Sequence, residues 1–248
     1  MRPIRVLALA GLSTTLLGTA NAEIESEFHA GWSSDYIFRG QDFGPNLFEF
    51  GLDFAGSGDL GSLGALDWSA GIWYGTFGTG GTSNNELDIY GEVSKSLNDM
   101  FSVAVGITNY SYFGQGVNAA NLRDDIEPYV ALGAELGETG LSVGAALYWE
   151  IGSSAIGPPP TSDLYYEFTL AYERELMENV SGGIELLLGV FDDPVVVGQT
   201  DSTVYFGGTA SISVSVTEDV TVSPFLSATF SDDLPDNFYG GVSVGFGF

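Results

Sequence analysis

Carboxylates dominate the side chains of this sequence that could do chemistry, and they recur at alternate positions. Asp35, Glu49, Asp53 and Asp67 come first, followed by Glu86, Asp88 and Glu92, and then by Glu127, Glu150 and Glu167. Glu25, Glu27, Glu135, Glu173 and Glu185 continue the pattern, and Arg39 and His29 are the only basic residues that share it. Nucleophilic catalysis needs a base beside its nucleophile and a third group that orients the base. His29 is the single histidine, and on an alternating strand Ser26 faces away from it while Ser33 lies four residues along, roughly 13 Å distant at ~3.3 Å per residue. No catalytic set emerges. The pairs Asp124–Asp125, Asp192–Asp193 and Asp232–Asp233 offer the oxygen ligands that Ca²⁺ or Mg²⁺ prefers. None has the spacing of a calcium-binding loop, so they read as solvated loop acids. The Gly pairs open no helix and no Lys follows them, so they cradle no phosphate. The expectation is a protein with no reaction step, no metal and no cofactor.

What the carboxylates can do is set an electric potential. Rings of Asp and Glu around a water-filled passage favour cations. Arg39, beside this acidic face, is expected to pair with an acid of the neighbouring strand, Glu49 or Asp53. Asp35 shares its face but is too far along the strand to reach it.

Such a face requires strands. About twelve segments alternate with period two, the signature of a strand with two unlike faces. In the first, Phe28, Trp32, Tyr36 and Phe38 oppose Glu27, His29, Asp35 and Arg39. In later ones, Phe48, Phe50 and Leu52 oppose Glu49 and Asp53, and Leu87, Ile89 and Val93 oppose Glu86, Asp88 and Glu92. Connections after even-numbered segments are mostly short, such as SLND and GETG, with 56–65 as a longer exception. Those after odd-numbered segments are longer, among them RGQDFGPN, FGQGVNAANLRDD and GSSAIGPPPTSD. Short turns at one end and long loops at the other are the habit of outer-membrane barrels.

Composition decides which face is wet. The formal charge is −27, mean hydropathy is nevertheless +0.17, and Lys95 is the only lysine. A soluble barrel would present a polar, usually Lys-containing exterior, whereas here the polar face is Gly, Ser, Ala, Tyr and carboxylate. The apolar face therefore meets lipid. So few basic residues exclude phosphate-backbone binding, hence nucleic acid. No cysteine is present to staple the fold. Residues 1–22 read as a secretory signal: Arg2 and Arg5, an apolar stretch too short to span a bilayer, then Ala20 and Ala22 placed for cleavage. Residues 23–248 form one domain. Aromatic residues near segment ends, such as Trp32, Tyr36, Trp73 and Tyr74, are expected to form interfacial girdles. The closing YGGVSVGFGF puts Val242, Val244, Phe246 and Phe248 on one face of a strand that can pair with the first. Closure is required in lipid, where unpaired backbone groups cost several kcal/mol each.

The fold expected is a closed antiparallel up-and-down transmembrane β-barrel of about twelve strands, in the bacterial outer membrane. GWSSDYIFRG at 31–40 resembles the N-terminal hallmark of the TorF-type porin family, and NELDIYGEV at 85–93 and GGVSVGFGF are similar to later parts of its pattern. The resemblance implies an outer-membrane barrel with a pore role and no catalytic residues. The C-terminal pattern, with Phe246 and Phe248, also resembles the signal read by the barrel insertion machinery. Because unpaired acids in a dry interior would neutralise rather than stay charged, their excess points to a hydrated, cation-preferring passage. The partners expected are outer-membrane lipid, lipopolysaccharide, the insertion machinery and small solutes or ions. The rival reading is a structural or adhesion barrel that conducts nothing and binds outside partners through its loops.

Overall fold

The computed structural model describes residues 24–59, 61, 64–78, 84–114, 125–152, 164–192 and 202–248. The signal segment with Ala20 and Ala22, and the loop residues Asp124 and Asp193, lie outside them. Twelve antiparallel strands close on themselves. They are β1 (Glu25–Phe38), β2 (Gln41–Asp59), β3 (Ala65–Phe77), β4 (Asn84–Ser96), β5 (Phe101–Gly114) and β6 (Asp125–Glu135). β7 (Leu141–Trp149) is interrupted at Glu150 and resumes for Ile151–Gly152. The circuit continues with β8 (Leu164–Met177), β9 (Val180–Phe191), β10 (Thr203–Ser215), β11 (Val220–Ser231) and β12 (Asn237–Gly247). Each strand pairs with its sequence neighbours, and β12 pairs with β1 from Glu27↔Gly247 to Ser33↔Gly241. At the seam the Phe248 amide donates to Ser26 O at 3.0 Å. No strand edge is left along the paired wall, as lipid demands.

One face of each strand carries the apolar residues, and it points outward. Phe50, Ile89, Val105, Leu132, Ile184, Leu186, Phe206 and Leu226 are all at least half exposed. So wide a band of exposed Leu, Ile, Val and Phe is not tolerated against water; its solvent is hydrocarbon. The chain is a bacterial outer-membrane β-barrel. A charge placed in this band has no partner. Leu186→Arg, half way along β9, is expected to lower unfolding stability in lipid by about 2–4 kcal/mol. Urea titration of the refolded variant checks this, with Thr209→Arg on the inner face expected to cost much less.

The turns at the end that holds both described termini are short and locally built. Between β4 and β5, Asn98 Oδ1 accepts from the Met100 and Phe101 amides at 2.9 and 3.0 Å. Between β8 and β9, Asn179 takes a φ of +64°, which its short polar side chain tolerates. Between β10 and β11, Thr217 Oγ1 accepts from Asp219 and Val220. The expected exception at 56–65 shrinks, because β2 runs on to Asp59 and only 60–64 connect it to β3. At the opposite end the expectation fails once. RGQDFGPN is no external loop: β1 and β2 are joined by the two-residue turn Arg39–Gly40.

Candidate channel lumen

The β1–β2 hairpin does not stay in the wall. Pairing of β1 with β12 stops at Ser33↔Gly241, and pairing of β2 with β3 begins only at Phe48↔Thr76. Between them, residues 34–46 pair with each other, with further ties from the Gly78 amide to Pro45 O at 2.7 Å, from the Gly240 amide to Ser34 Oγ at 3.3 Å and from Asn237 Nδ2 to Gly40 O at 3.2 Å. The register slips between Tyr36 and Ile37. The extra residue is Phe43 of β2, between Gly44 opposite Tyr36 and Asp42 opposite Ile37. Arg39, Gly40, Gly44 and Asn46 all have positive φ, which curls the segment inward. Tyr36 therefore lies not in a lipid girdle but in the lumen, 5% exposed, with its ring 4.8 Å from Phe77, 5.4 Å from Phe43 and 5.9 Å from Trp73. Trp73 is likewise turned inward, unlike its outward neighbour Tyr74.

At the tip of the hairpin, Arg39 reaches the far wall. Its two terminal nitrogens donate to both oxygens of Glu127 on β6 at 2.6 and 2.7 Å. The guanidinium stacks over Tyr165 at 4.1 Å, Tyr148 at 4.6 Å and Phe38 at 4.8 Å. A planar, weakly hydrated guanidinium suits both bidentate pairing and aromatic stacking. Arg39 thus pairs with neither Glu49 nor Asp53. Spacing along a chain reveals only neighbouring strands, and this partner lies across the barrel. Around the clamp, Tyr110 donates to Glu127 at 3.1 Å, Tyr165 to Glu167 at 2.8 Å, and the Tyr165 and Tyr205 hydroxyls meet at 2.6 Å. Glu127, Glu167 and Glu86 are 2%, 1% and 0% exposed, so this level of the lumen is filled.

Below the clamp, phenol and indole donors hold the acids of β2 and β4. Tyr129 donates to Glu92 at 2.7 Å, Trp73 to Glu49 at 2.7 Å, and Tyr90 to Asp53. His29 Nδ1 lies 3.0 Å from the other oxygen of Asp53. Two of these bonds join next-but-one strands. Tyr90 reaches from β4 to β2 over Gly71, and Tyr129 from β6 to β4 over Gly106. A Cβ at Gly71 would sit 2.5 Å from the Asp53 carboxylate and the Tyr90 hydroxyl, and one at Gly106 would sit 2.4 Å from the Tyr129 ring. Only a residue without a side chain lets such a bond cross above it. The excess of acids over bases therefore overstates the charge open to water: Asp53, Glu49, Glu92, Glu127 and Glu167 each have a donor.

Several of the other inner-face acids lie towards the margins. Asp35 is half-buried where the hairpin leaves the wall, Asp67 is half-buried towards the short-turn end of β3, and Glu150 sits at the break in β7. Asp88 stands beside Glu86 on β4, opposite Tyr110 of β5. Among the described residues, Arg39 and His29 are the basic side chains that face the lumen.

The opposite wall, β9 to β12, is built differently. Its inner face is largely glycine and hydroxyl, broken by Glu185 and Leu187, with Thr209 and Ser227 joined at 2.9 Å and Ser213 and Ser223 at 3.0 Å. A cavity of about 50 Å³ lies between this wall and the hairpin tip, lined by Arg39, Glu185, Tyr205, Thr209, Ser227 and Tyr239 among others. One water needs on the order of 10–15 Å³ by this measure, so a short file of waters fits.

A filled clamp on one side and a polar seam on the other describe a narrowed lumen. The COG4313 outer membrane channel from Pseudomonas putida F1 aligns over 93% of this chain and 97% of its own, with a TM-score of 0.61 and 12% identity. The fold is that of outer-membrane porins. The NanC porin aligns over 89% of this chain and 98% of its own, with a TM-score of 0.55 and 13% identity. For the KdgM porin the figures are 90%, 99%, 0.52 and 11%. No protein-family model and no curated protein matches the sequence. At these identities the likeness is one of architecture, and the solute must be argued from this lumen.

Proposed function

We propose that this barrel is a passive outer-membrane channel for small solutes, with a preference for cations and no chemical step. The observation that carries the reading is the open seam along β9 to β12, polar and lined by a carboxylate, in a barrel whose other inner wall is acidic. Arg39 adds little opposing field, because Glu127 neutralises it at contact distance. A KdgM porin structure is described as a complex with disordered oligogalacturonate, a polyanion. The lumen here has the wrong sign for such a cargo. The motif at 31–40 suits a member of the TorF-type family, and residues 1–22 suit an export signal cleaved after Ala22. Lipid, lipopolysaccharide, the insertion machinery and permeant ions are the partners this reading implies.

Refolded protein in a planar bilayer, under a KCl gradient, tests it. Small unitary currents whose reversal potential lies on the cation side are expected, with no block by a polyanionic oligosaccharide. The Arg39 clamp favours one other reading, a non-conducting structural barrel. Folded, inserted protein that stays silent would hand the molecule to that reading.

A further inference from the structure

We infer that Glu185 is the residue that selects cations, and that permeant ions pass it along the β9–β12 wall rather than between the carboxylates of β2, β4 and β6. This rests on the channel reading above and adds to it the path and the selecting group. Glu185 is the only carboxylate among the described residues that line the cavity beside the hairpin tip. Its strand neighbours explain why it stays available. Directly across from it stand Ala171 on β8 and Thr209 on β10, neither of which carries a charge or a phenol. No hydrogen bond or ion pair holds it among the described residues. Glu127, Glu167, Glu92, Glu49 and Asp53, in contrast, each have an Arg, Tyr, Trp or His partner. A carboxylate whose lone pairs are already taken offers a passing ion less than one that faces water.

The wall around Glu185 matches a small cation that has shed part of its water. Thr209, Ser227 and Thr229 supply hydroxyl oxygens, and Gly207 leaves room beside them. Such oxygens replace hydration without binding so tightly that the ion stays, which is what conduction needs. The ligand class is a monovalent cation of the size of K⁺ or ammonium. The hairpin tip, with Ile37 and Phe38, forms the other side of the slot and keeps the ion close to the carboxylate.

The test is reversal potential in a KCl gradient for Glu185→Gln and Glu185→Lys, with Glu92→Gln as the comparison. Heat-modifiable migration on gels establishes that each variant is a folded barrel, and Glu185→Asp serves if Glu185→Lys does not fold. For Glu185→Gln the K⁺/Cl⁻ permeability ratio is expected to fall by about fivefold or more. That factor corresponds to the ~1 kcal/mol that a unit charge exerts at about 4 Å through bulk water. Glu185→Lys should carry the preference to anions, Glu185→Asp should keep it for cations, and Glu92→Gln should leave it unchanged. A wild-type barrel that conducts selectively, but whose ratio follows Glu92 and not Glu185, overturns this inference and leaves the channel standing. A silent wild type removes both.

Discussion

Excising the inward hairpin should widen the channel several-fold in single-channel conductance while leaving the barrel folded. The register supplies the design. Ser33 and Leu47 face each other across β1 and β2, just where both strands rejoin their other neighbours. Replacing residues 34–46 by Asn-Gly would close that pair with a two-residue turn of the type that matches strand twist. The deletion removes Tyr36, Phe38, Arg39 and Phe43 from the lumen and spares the backbone ladders with β3 and β12, losing only the bonds of Gly240 to Ser34 and of Asn237 to Gly40. Bilayer recordings of the excised protein against wild type measure the change. Equal conductance would mean that the hairpin does not set the constriction.

Glu127→Ala should be the most damaging single substitution of the inner face. Removing one partner of a buried ion pair typically costs about 3–5 kcal/mol, because the other charge is left unpaired. Here Arg39 would remain among Tyr148, Tyr165 and Phe38 with no carboxylate in bidentate contact. The hairpin offers an escape, since beyond its base it is held by the clamp, its aromatic packing and one bond from Asn237 Nδ2 to Gly40 O at 3.2 Å. Undocking into water limits the loss of global stability to the docking free energy of the hairpin. The expected result is a moderate fall in urea midpoint, with backbone amides of 36–44 losing hydrogen-exchange protection and conductance rising towards that of the excised barrel. Arg39→Met with Glu127→Met, which buries no charge, should restore protection of those amides. Protection that stays unchanged in Glu127→Ala would show that aromatic packing alone holds the hairpin.

Much of this fold is legible in the order of residues. Alternation marks the strands, and the poverty of lysine on the polar faces of Glu49, Glu86 and Glu127 shows that water lies inside the ring and hydrocarbon outside. Three things escape such a reading, for separate reasons. Residues 34–46 leave the wall and fold into the ring, so both faces of that hairpin lie in the lumen and parity no longer separates lipid from water there. Tyr36 therefore looks lipid-facing and is not. The partner of Arg39 lies on β6, at a distance along the chain that no spacing rule connects. The importance of Glu185 is hidden for a third reason. It sits on the inner face like many other acids, and it stands apart only once Tyr90, Tyr129, Trp73, Tyr165 and Arg39 are seen to occupy the rest.

The bonds that pass over Gly71 and Gly106 have a mechanical consequence. Backbone ladders resist sliding of one strand along the next, but they bend freely about their own axes, so a closed ribbon flattens easily under lateral pressure. A link between next-but-one strands fixes the angle at the strand between them. Tyr90 to Asp53 and Tyr129 to Glu92 set two such angles in succession, on β3 and β5, and make that arc a stiff brace. A third such link, Tyr165 to Tyr205, crosses Gly189 and sets the angle at β9, so among the described residues the arc from β10 to β12, with hydroxyl contacts between adjacent strands, is the compliant side. Membrane tension should therefore change the bore by flexing β10 to β12, the wall that faces Glu185 across the cavity, while the braced strands keep their shape.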